Sequence, residues 1–303
     1  GCALAAAALL LAGCASMAPP YDAPALPVAD RYPSDAPAAE VGVAAAGLGW
    51  REHFADPRLQ RLIEQALDNN RDLRSAALRV QEARAAYGIQ LAERFPTVGV
   101  AADGSRSRVP GDLNVSGRPV FASQYQIGFG TSAWELDLWG RVRSLQDTAA
   151  QNFLATDAVR RAVTIALVAQ VADGYLSLRE LDERVALARR SIASREESLR
   201  IFTRRFEVGA TSKLDLTQVQ TLLTQAQSLG AQLEQARALQ AHALAALIGS
   251  PVDLAPAQDR FDDATVAQEL RAGLPSAMLT DRPDIVAAEH RLRAANANIG
   301  AAR

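Results

Sequence analysis

The stretch QYQIGFGTSAWELDLWGRVRS, Gln124 to Ser144, changes its period halfway along. In its first half Tyr125, Ile127, Phe129, Thr131 and Ala133 alternate with Gln124, Gln126, Gly128, Gly130 and Ser132. A period of two places the first set on one face of a strand and the second set on the other. After Trp139 the apolar residues recur at threes and fours, the spacing of a helix. The strand is apolar on one side and polar or nearly bare on the other. Working outward from it fixes the rest of the architecture.

Between Gly140 and about Val208 there is no proline and one glycine, Gly174. Leu145, Ala149, Phe153, Val163, Leu167, Val171, Leu178, Val185, Ile192, Leu199 and Phe206 keep the helical beat. That predicts one helix of about 68 residues, or about 100 Å at 1.5 Å per residue. Val208 to Ser212, VGATS, then reads as a tight turn in which glycine stops one helix and Ser212 caps the next. The next helix runs from Leu214 to Ile248 and closes at Gly249-Ser250-Pro251.

On the other side, Asp56 to Ala92 carries Leu59, Leu62, Ile63, Ala66, Leu73, Ala76, Val80 and Ala83 at helical spacing, with a break expected near Asn69-Asn70. Asp56-Pro57 supplies a cap and a first-turn proline, and Phe95-Pro96 ends the segment. Val98, Val100 and Ala102 then share a face, and the Gly/Pro-rich run Pro110 to Pro119 is a turn. Residues 97–133 therefore read as a hairpin of two long strands. The helices before the hairpin and after the tight turn have about 35 residues each, so stacked end to end they match the long helix. An antiparallel array about 100 Å tall follows, with the hairpin at one end and the turn at the other.

The totals exclude several classes of function. The chain has 303 residues and a formal charge of −2, which gives no footprint for nucleic acid. Its two cysteines, Cys2 and Cys14, both lie in the first fourteen residues, so the body has neither a disulfide framework nor a cysteine metal cluster. His53, His242 and His290 are scattered without ligand spacing, and no metal or cofactor is expected. No nucleophile elbow, phosphate loop or dinucleotide fingerprint occurs, and an enzyme is not expected.

The opening run ALAAAALLLAG has the length of a signal-peptide core and is too short to span a bilayer. It ends in Leu11-Ala12-Gly13-Cys14, which resembles the lipobox of bacterial lipoproteins. That resemblance implies a mature chain beginning at an acylated Cys14, with Ala15 after it favouring outer-membrane sorting. Residues 1–13 are then a truncated signal peptide and 14–49 an extended Ala/Pro-rich tether, with order beginning at Trp50. The remaining boundaries are a first helical segment at 50–96, the hairpin at 97–133, a long helical hairpin at 134–250 with its tip at 208–212, a connector at 251–280 and a new repeat at 281–303.

That repeat is internal. Arg71 to Leu91 aligns without gaps to Pro283 to Arg303, with Asp72/Asp284, Ala76/Ala288, Arg79/Arg291, Ala83/Ala295, Ala85/Ala297 and Gly88/Gly300 identical. The chain thus reads as a fragment: one half-unit plus the start of a second, which would bring its own hairpin.

A lone hairpin is not stable, and this one has no sheet of its own chain to join. From Val98 to Arg106 it rises about 26 Å at 3.3 Å per residue, close to the apolar band of an outer-membrane barrel. Val98, Val100, Ala102, Tyr125, Ile127 and Phe129 would face lipid, with Arg106 and Arg108 at the outer headgroups. Gln124, Gln126, Gly128 and Gly130 would face a lumen. The alternative is a β-arm lying on another protein.

The lipobox, GWREHFADPRLQRLIEQAL, SAWELDLWGRVR, RRFEVGATSKLDL and DRPDIVAAEHRLRAANANIGAAR together resemble the outer-membrane efflux protein family. The resemblance is to TolC-like outer membrane factors, and within them to the lipoprotein branch of OprM/NodT type. It implies a mainly α fold with a transmembrane β-hairpin, forming a homotrimer with a 12-stranded barrel above a periplasmic α-barrel. It also implies partners: a periplasmic adaptor, an inner-membrane RND pump and outer-membrane lipid. Val208, Gly209, Ala210, Thr211, Ser212, Leu214 and Asp215 would form the adaptor-contact tip, and Arg204, Arg205 and Asp215 would latch a closed iris. From the residues alone, the tip is equally an ordinary helix hairpin and those charges equally solvated. Trp134 and Trp139 fit an interfacial belt or junction packing. The expected function is passive export of small toxic molecules. The rivals are a type I secretion channel and a coiled-coil lipoprotein that conducts nothing.

Overall fold

The computed structural model describes residues 17–23, 25, 28, 43–44, 48–131, 134–256, 270–271 and 277–303. Its helices are α1 (Trp50–His53), α2 (Pro57–Asn69), α3 (Arg71–Ala92), α4 (Arg141–Glu207), α5 (Lys213–Ile248), α6 (Ala277–Asp281) and α7 (Pro283–Ala302). Its strands are β1 (Val43–Ala44), β2 (Val98–Val109), β3 (Val120–Thr131) and β4 (Leu270–Arg271). They form two two-stranded sheets, β1 parallel to β4 and β2 antiparallel to β3. The signal segment, Cys14 and most of the tether and connector lie outside the described residues.

The chain divides into two compact units, one of residues 1–25, 80–157 and 287–303, the other of 26–79 and 158–286. In the second unit the core is built where α2 lies against α4 and α5. Leu59, Leu62, Ile63 and Ala66 of α2 pack with Leu167, Val171, Tyr175 and Leu178 of α4 and with Leu244 and Ile248 of α5. Those spacings of three and four are the stripes visible in the sequence. Glycine sets how closely α4 and α5 approach. A Cβ at Gly174 would stand 3.1 Å from Leu244 Cδ1, and one at Gly230 would stand 2.8 Å from Ile192 Cδ1.

Polar side chains close the ends of these helices. Asp56 Oδ1 accepts from the backbone N–H of Arg58 at 2.7 Å, capping α2 in front of Pro57. Its Oδ2 accepts from the buried Tyr175 hydroxyl at 2.5 Å. Burial, and then that hydrogen bond, push the Tyr175 phenol above its ordinary range, so it remains the donor. At the expected break, Asn70 works in two directions. Its Oδ1 accepts from Leu73 N at 2.8 Å to start α3, and its Nδ2 donates to Leu247 O at 2.7 Å, satisfying a carbonyl at the end of α5. Gly249 then leaves α5 with φ 80°, and a Cβ there would stand 2.6 Å from Asn69 O. Arg237 joins α5 to Asp182 of α4 at 2.8 Å and donates to Leu254 O in the connector.

In the first unit α7 lies on the first turns of α4. Ala287, Ala294 and Gly300 of α7 are buried, Thr148 Oγ1 reaches Ala294 O at 3.3 Å, and His290 Nδ1 meets Gln151 Oε1 at 2.7 Å.

Within the segment expected to be a tether, the described residues Met17 to Tyr21 rest on α7. Order does not begin at Trp50: Asn296 Nδ2 donates to Pro19 O at 2.9 Å, and the Arg293 guanidinium lies 5.2 Å from the Tyr21 ring centre. Val43–Ala44 also pairs in parallel with Leu270–Arg271. The physical reason is that proline removes a donor and leaves its carbonyl, so a Pro-rich strap still accepts from a helix surface.

Asp56→Ala removes a cap and strands a buried phenol, losses of about 1 and about 1–3 kcal/mol respectively. We expect the thermal midpoint, followed by circular dichroism, to fall by several degrees, and Asp56→Asn to recover part of the loss.

Candidate functional site

The hairpin is in register over its whole length. Val98 lies across from Thr131, Val100 from Phe129, Ala102 from Ile127 and Gly104 from Tyr125. Directly opposed residues of an antiparallel pair share a face, so the six residues expected to meet lipid stand on one side. On the other side Gly99 opposes Gly130, Ala101 opposes Gly128, Asp103 opposes Gln126 and Ser105 opposes Gln124. Tyr125, Ile127 and Phe129 are 82, 78 and 82 % exposed, and Val98 and Val100 are exposed as well. A continuous apolar face of this kind is a binding or membrane surface rather than a solvated one. β3 starts at Val120, four residues before the alternation read from Gln124, and this adds Phe121 to the face. Arg106 and Arg108 lie over the Phe121 ring at 5.5 and 5.8 Å, so the apolar face ends in a paired arginine cluster.

The junction from β3 into α4 is held by Asp137 and Glu135, which the sequence reading did not single out, and by Trp134, for which it offered junction packing beside an interfacial belt. Asp137 reaches forward: its Oδ1 accepts from Val142 N at 3.0 Å and its Oδ2 from Arg143 N at 2.9 Å, satisfying two orphan donors of the long helix. Glu135 pairs with Arg141 at 2.5 Å, and the guanidinium hydrogen bond holds this carboxyl below its usual range. Trp134 Nε1 donates to Arg94 O at 3.3 Å, which ties the junction to the end of α3, whereas Trp139 is exposed and gives no such tie. The acids of Trp134-Glu135-Leu136-Asp137 were visible, but their reach over Gly140 into the helix was not.

At the tip, Val208 to Ser212 closes both helices without help. Ala210 N bonds to Arg205 O at 2.7 Å and Gly209 N to Phe206 O at 3.0 Å, with Gly209 at φ 72°. These are the paired bonds of a Schellman ending, and they require a residue at ease in the left-handed region. Ser212 then caps α5. Its Oγ accepts from Asp215 N at 3.1 Å, and Asp215 Oδ2 accepts from Ser212 N at 3.1 Å, Ser212 Oγ at 2.6 Å and Thr211 Oγ1 at 3.0 Å. Those bonds, Ser212's side chain first, hold the Asp215 carboxyl below its ordinary range. Val208 and Leu214 stand exposed on either side of the turn.

Of the three residues expected to act as a latch, Asp215 is engaged in the cap. Arg204 pairs with Glu207 at 3.1 Å, and Arg205 lies over the Phe202 ring at 5.5 Å. The structure brings them to one end of the helical hairpin and gives each a partner there. Beside them is an open groove of about 560 Å³ lined by Glu196, Leu199, Arg200, Thr203, Arg204, Glu207 and Leu223. Cys14 lies outside the described residues. Among those described, no three His, Cys, Asp or Glu side chains gather as a metal-ligand set, and no helix is long and apolar enough to cross a membrane.

Comparison with known proteins gives this combination of hairpin, junction and tip a family. The model of the outer membrane efflux protein domain matches residues 62–250. The chain belongs to that family. It is 44 % identical over 305 residues to the antibiotic efflux pump outer membrane protein ArpC of Pseudomonas putida, across 99 % of this chain and 62 % of that protein. To outer membrane protein OprJ of Pseudomonas aeruginosa it is 44 % identical over 306 residues, across 98 % of this chain and 62 % of that protein. Its structure matches the open state of the Neisseria gonorrhoeae MtrE outer membrane channel with a TM-score of 0.80 at 36 % identity, covering 95 % of this chain and 63 % of that one. The chain therefore spans about three fifths of the length of the curated relatives it matches.

The Asp215 cap fixes how the tip responds to pH. Its folded-state pKa is depressed, so its stabilisation is complete above the unfolded carboxylate value of about 4 and is lost as pH falls through the folded value. We expect amide exchange of Ser212 and Asp215 to show flat protection from pH 8 to 5. In Asp215→Asn and Ser212→Ala that protection should drop at every pH in this window.

Proposed function

We propose that the full-length protein is the outer-membrane channel subunit of a tripartite RND-type efflux system. Three copies close a 12-stranded barrel, four strands from each, and their helices continue it as a periplasmic conduit. Small-molecule cargo, delivered by an inner-membrane pump through a periplasmic adaptor, passes without chemical change.

The observation that carries this reading is the hairpin. Its apolar face is exposed along one side from Val98 to Ala102 and from Tyr125 to Phe129, while the reverse side is glycine, alanine and polar residues, with Asp103 the one charge among them up to Ser105. Lipid on one side and water on the other is the environment that suits both faces. Support also comes from the relatives, among which are outer membrane proteins named for antibiotic or toluene efflux pumps.

On this reading Cys14 is the acylated anchor, and the strap from Met17 to Tyr21 follows it onto α7. Val208, Gly209, Ala210, Thr211, Ser212 and Leu214 form the adaptor-docking tip. Asp215 shapes that tip, and Arg204 and Arg205 beside it would exchange their contacts with Glu207 and the Phe202 ring to latch neighbouring copies in the closed state.

The test is the conductance of the purified full-length protein in a planar bilayer, run beside its gel mobility with and without heating. Discrete conductance from heat-sensitive trimers is expected; folded monomers without conductance would void the reading. A basic side chain on the lipid face of a barrel costs about 2–4 kcal/mol at mid-membrane, and an acidic one less but still in the unfavourable direction. Ile127→Asp should therefore lose trimers in unheated gels, whereas Gln126→Asp, on the reverse face, should keep them.

A further inference from the structure

The apolar face of the hairpin does not fade toward the turn; it stops at rings and cations. Its last three levels are Gly104 with Tyr125, Arg106 with Ser123 and Arg108 with Phe121. A Cβ on Gly104 would stand 3.4 Å from Tyr125 Cδ1, so the tyrosine ring lies across the neighbouring strand at that level. Beyond it the guanidiniums of Arg106 and Arg108 stand 5.5 and 5.8 Å from the centre of one ring, Phe121. Both arginines are exposed, as is the ring between them.

Neither guanidinium has a carboxylate partner among the described residues. The acid of β2, Asp103, has the opposite parity and stands across from Gln126 on the reverse face, and Asp112 lies past Pro110 in the turn. Two like charges thus share one ring on an apolar face, an arrangement that an anion would relieve. Their height is set by the strand. At 3.3 Å per residue Arg106 and Arg108 stand about 26 and 33 Å along it from Val98. A tilt of about 40° reduces this to about 20 and 25 Å, the top of an apolar band about 25 Å tall. Aromatic girdles flank that band, and Tyr125 and Phe121 take that place here.

We propose that Arg106, Arg108 and Phe121 form a recognition site on the outer rim for a lipid whose headgroup carries two phosphates. Each guanidinium presents a fork of N–H donors that fits one phosphate, so a lipid with a single phosphate leaves one fork unfilled. The acyl chains of the same lipid run down over Tyr125, Ile127 and Phe129, which are the next levels of the face. Phe121 holds both cations against the sheet before the lipid arrives, and this reduces the side-chain freedom lost on binding. A zwitterionic lipid is disfavoured, because its ammonium group would meet the same two cations. The inference rests on the channel reading, which puts this face in lipid, and goes beyond it by naming the lipid.

The experiment uses full-length trimers in nonionic detergent, a bisphosphorylated diglucosamine lipid as probe, and native mass spectrometry to count bound lipid. Wild type should bind this probe at least tenfold more tightly than the same lipid stripped of its phosphates, and than phosphatidylcholine. Arg106→Gln combined with Arg108→Gln should weaken binding at least tenfold while keeping the trimer band of unheated gels, and Phe121→Leu should weaken it a few-fold. Equal binding of the probe and its dephosphorylated form by wild type would overturn the site, and that comparison requires no variant to fold. Undiminished binding by the double variant in intact trimers would overturn it too. Full displacement of the probe by millimolar inorganic phosphate would reassign the site to free phosphate and overturn the lipid. Each of these results leaves the channel reading standing, whereas a wild type that forms no trimers would overturn both.

Discussion

A two-stranded hairpin has two rows of backbone N–H and C=O groups that point away from it, and the rest of this structure depends on where those rows go. β2 pairs with β3 and, among the described residues, with nothing else. In water such edges are solvated; in lipid each unpaired group costs several kcal/mol, so spanning sheets close on themselves. The apolar face removes the choice of water for one side of the hairpin. Closure must then come from further strands, and the features around the hairpin suit that demand. The junction through Asp137, Glu135 and Trp134 fixes the angle at which α4 leaves, and a sheet that must meet neighbours edge to edge needs a fixed exit.

The helices answer a different problem. They bury stripes of leucine, isoleucine, valine and alanine around Leu59, Ile63, Val171, Tyr175, Leu244 and Ile248. Where helices pack through such stripes, the distance between their axes matters as well as the volume of the side chains. Gly174 and Gly230 set that distance between α4 and α5, and Gly300 sets it between α7 and α4. A methyl group at Gly230 would push against Ile192 Cδ1 at 2.8 Å, one at Gly300 against Ser144 Oγ at 2.6 Å and the Ala18 backbone at 2.7 Å, and one at Gly174 would press Leu244 Cδ1 at 3.1 Å.

What the sequence makes legible follows from how far each interaction reaches along the chain. Tyr125, Ile127 and Phe129 announce a strand because alternation is local, and Gly209 with Ser212 announces the tip because both caps act within a few residues. The start of β3 at Val120 is harder to see, since Val120-Phe121 puts two apolar residues side by side and hides the parity. Asp56 is legible as a cap but not as the acceptor for Tyr175, 119 residues away. Asn70 is legible as a break but not as the partner of Leu247, 177 residues away. The docking of Met17 to Tyr21 leaves little pattern, because apart from the Tyr21 ring under Arg293 it is made through the backbone carbonyls of Met17 and Pro19, which every sequence has. The fold was therefore readable from periodicity and the two ends of the site from local turn chemistry. The long-range polar contacts that hold them in place were not.

Asn70 also determines where this chain tolerates a change of length. In a continuous helix each inserted residue turns everything beyond it by about 100° and shifts it by 1.5 Å, so one insertion moves every later side chain off its face. At Asn70 the backbone leaves helical geometry for a single residue, with φ −63° and ψ 128°, and starts again. A residue gained or lost in α3 is absorbed on its own side of that joint, and Leu59, Leu62, Ile63 and Ala66 keep their places in the core. α4 has no such joint in 67 residues. An insertion there would rotate the Ser144 stripe against the stripe holding Tyr175, and one of the two would have to be abandoned. Among related chains, variation in length should therefore collect in the short helices, and the long one should keep its count.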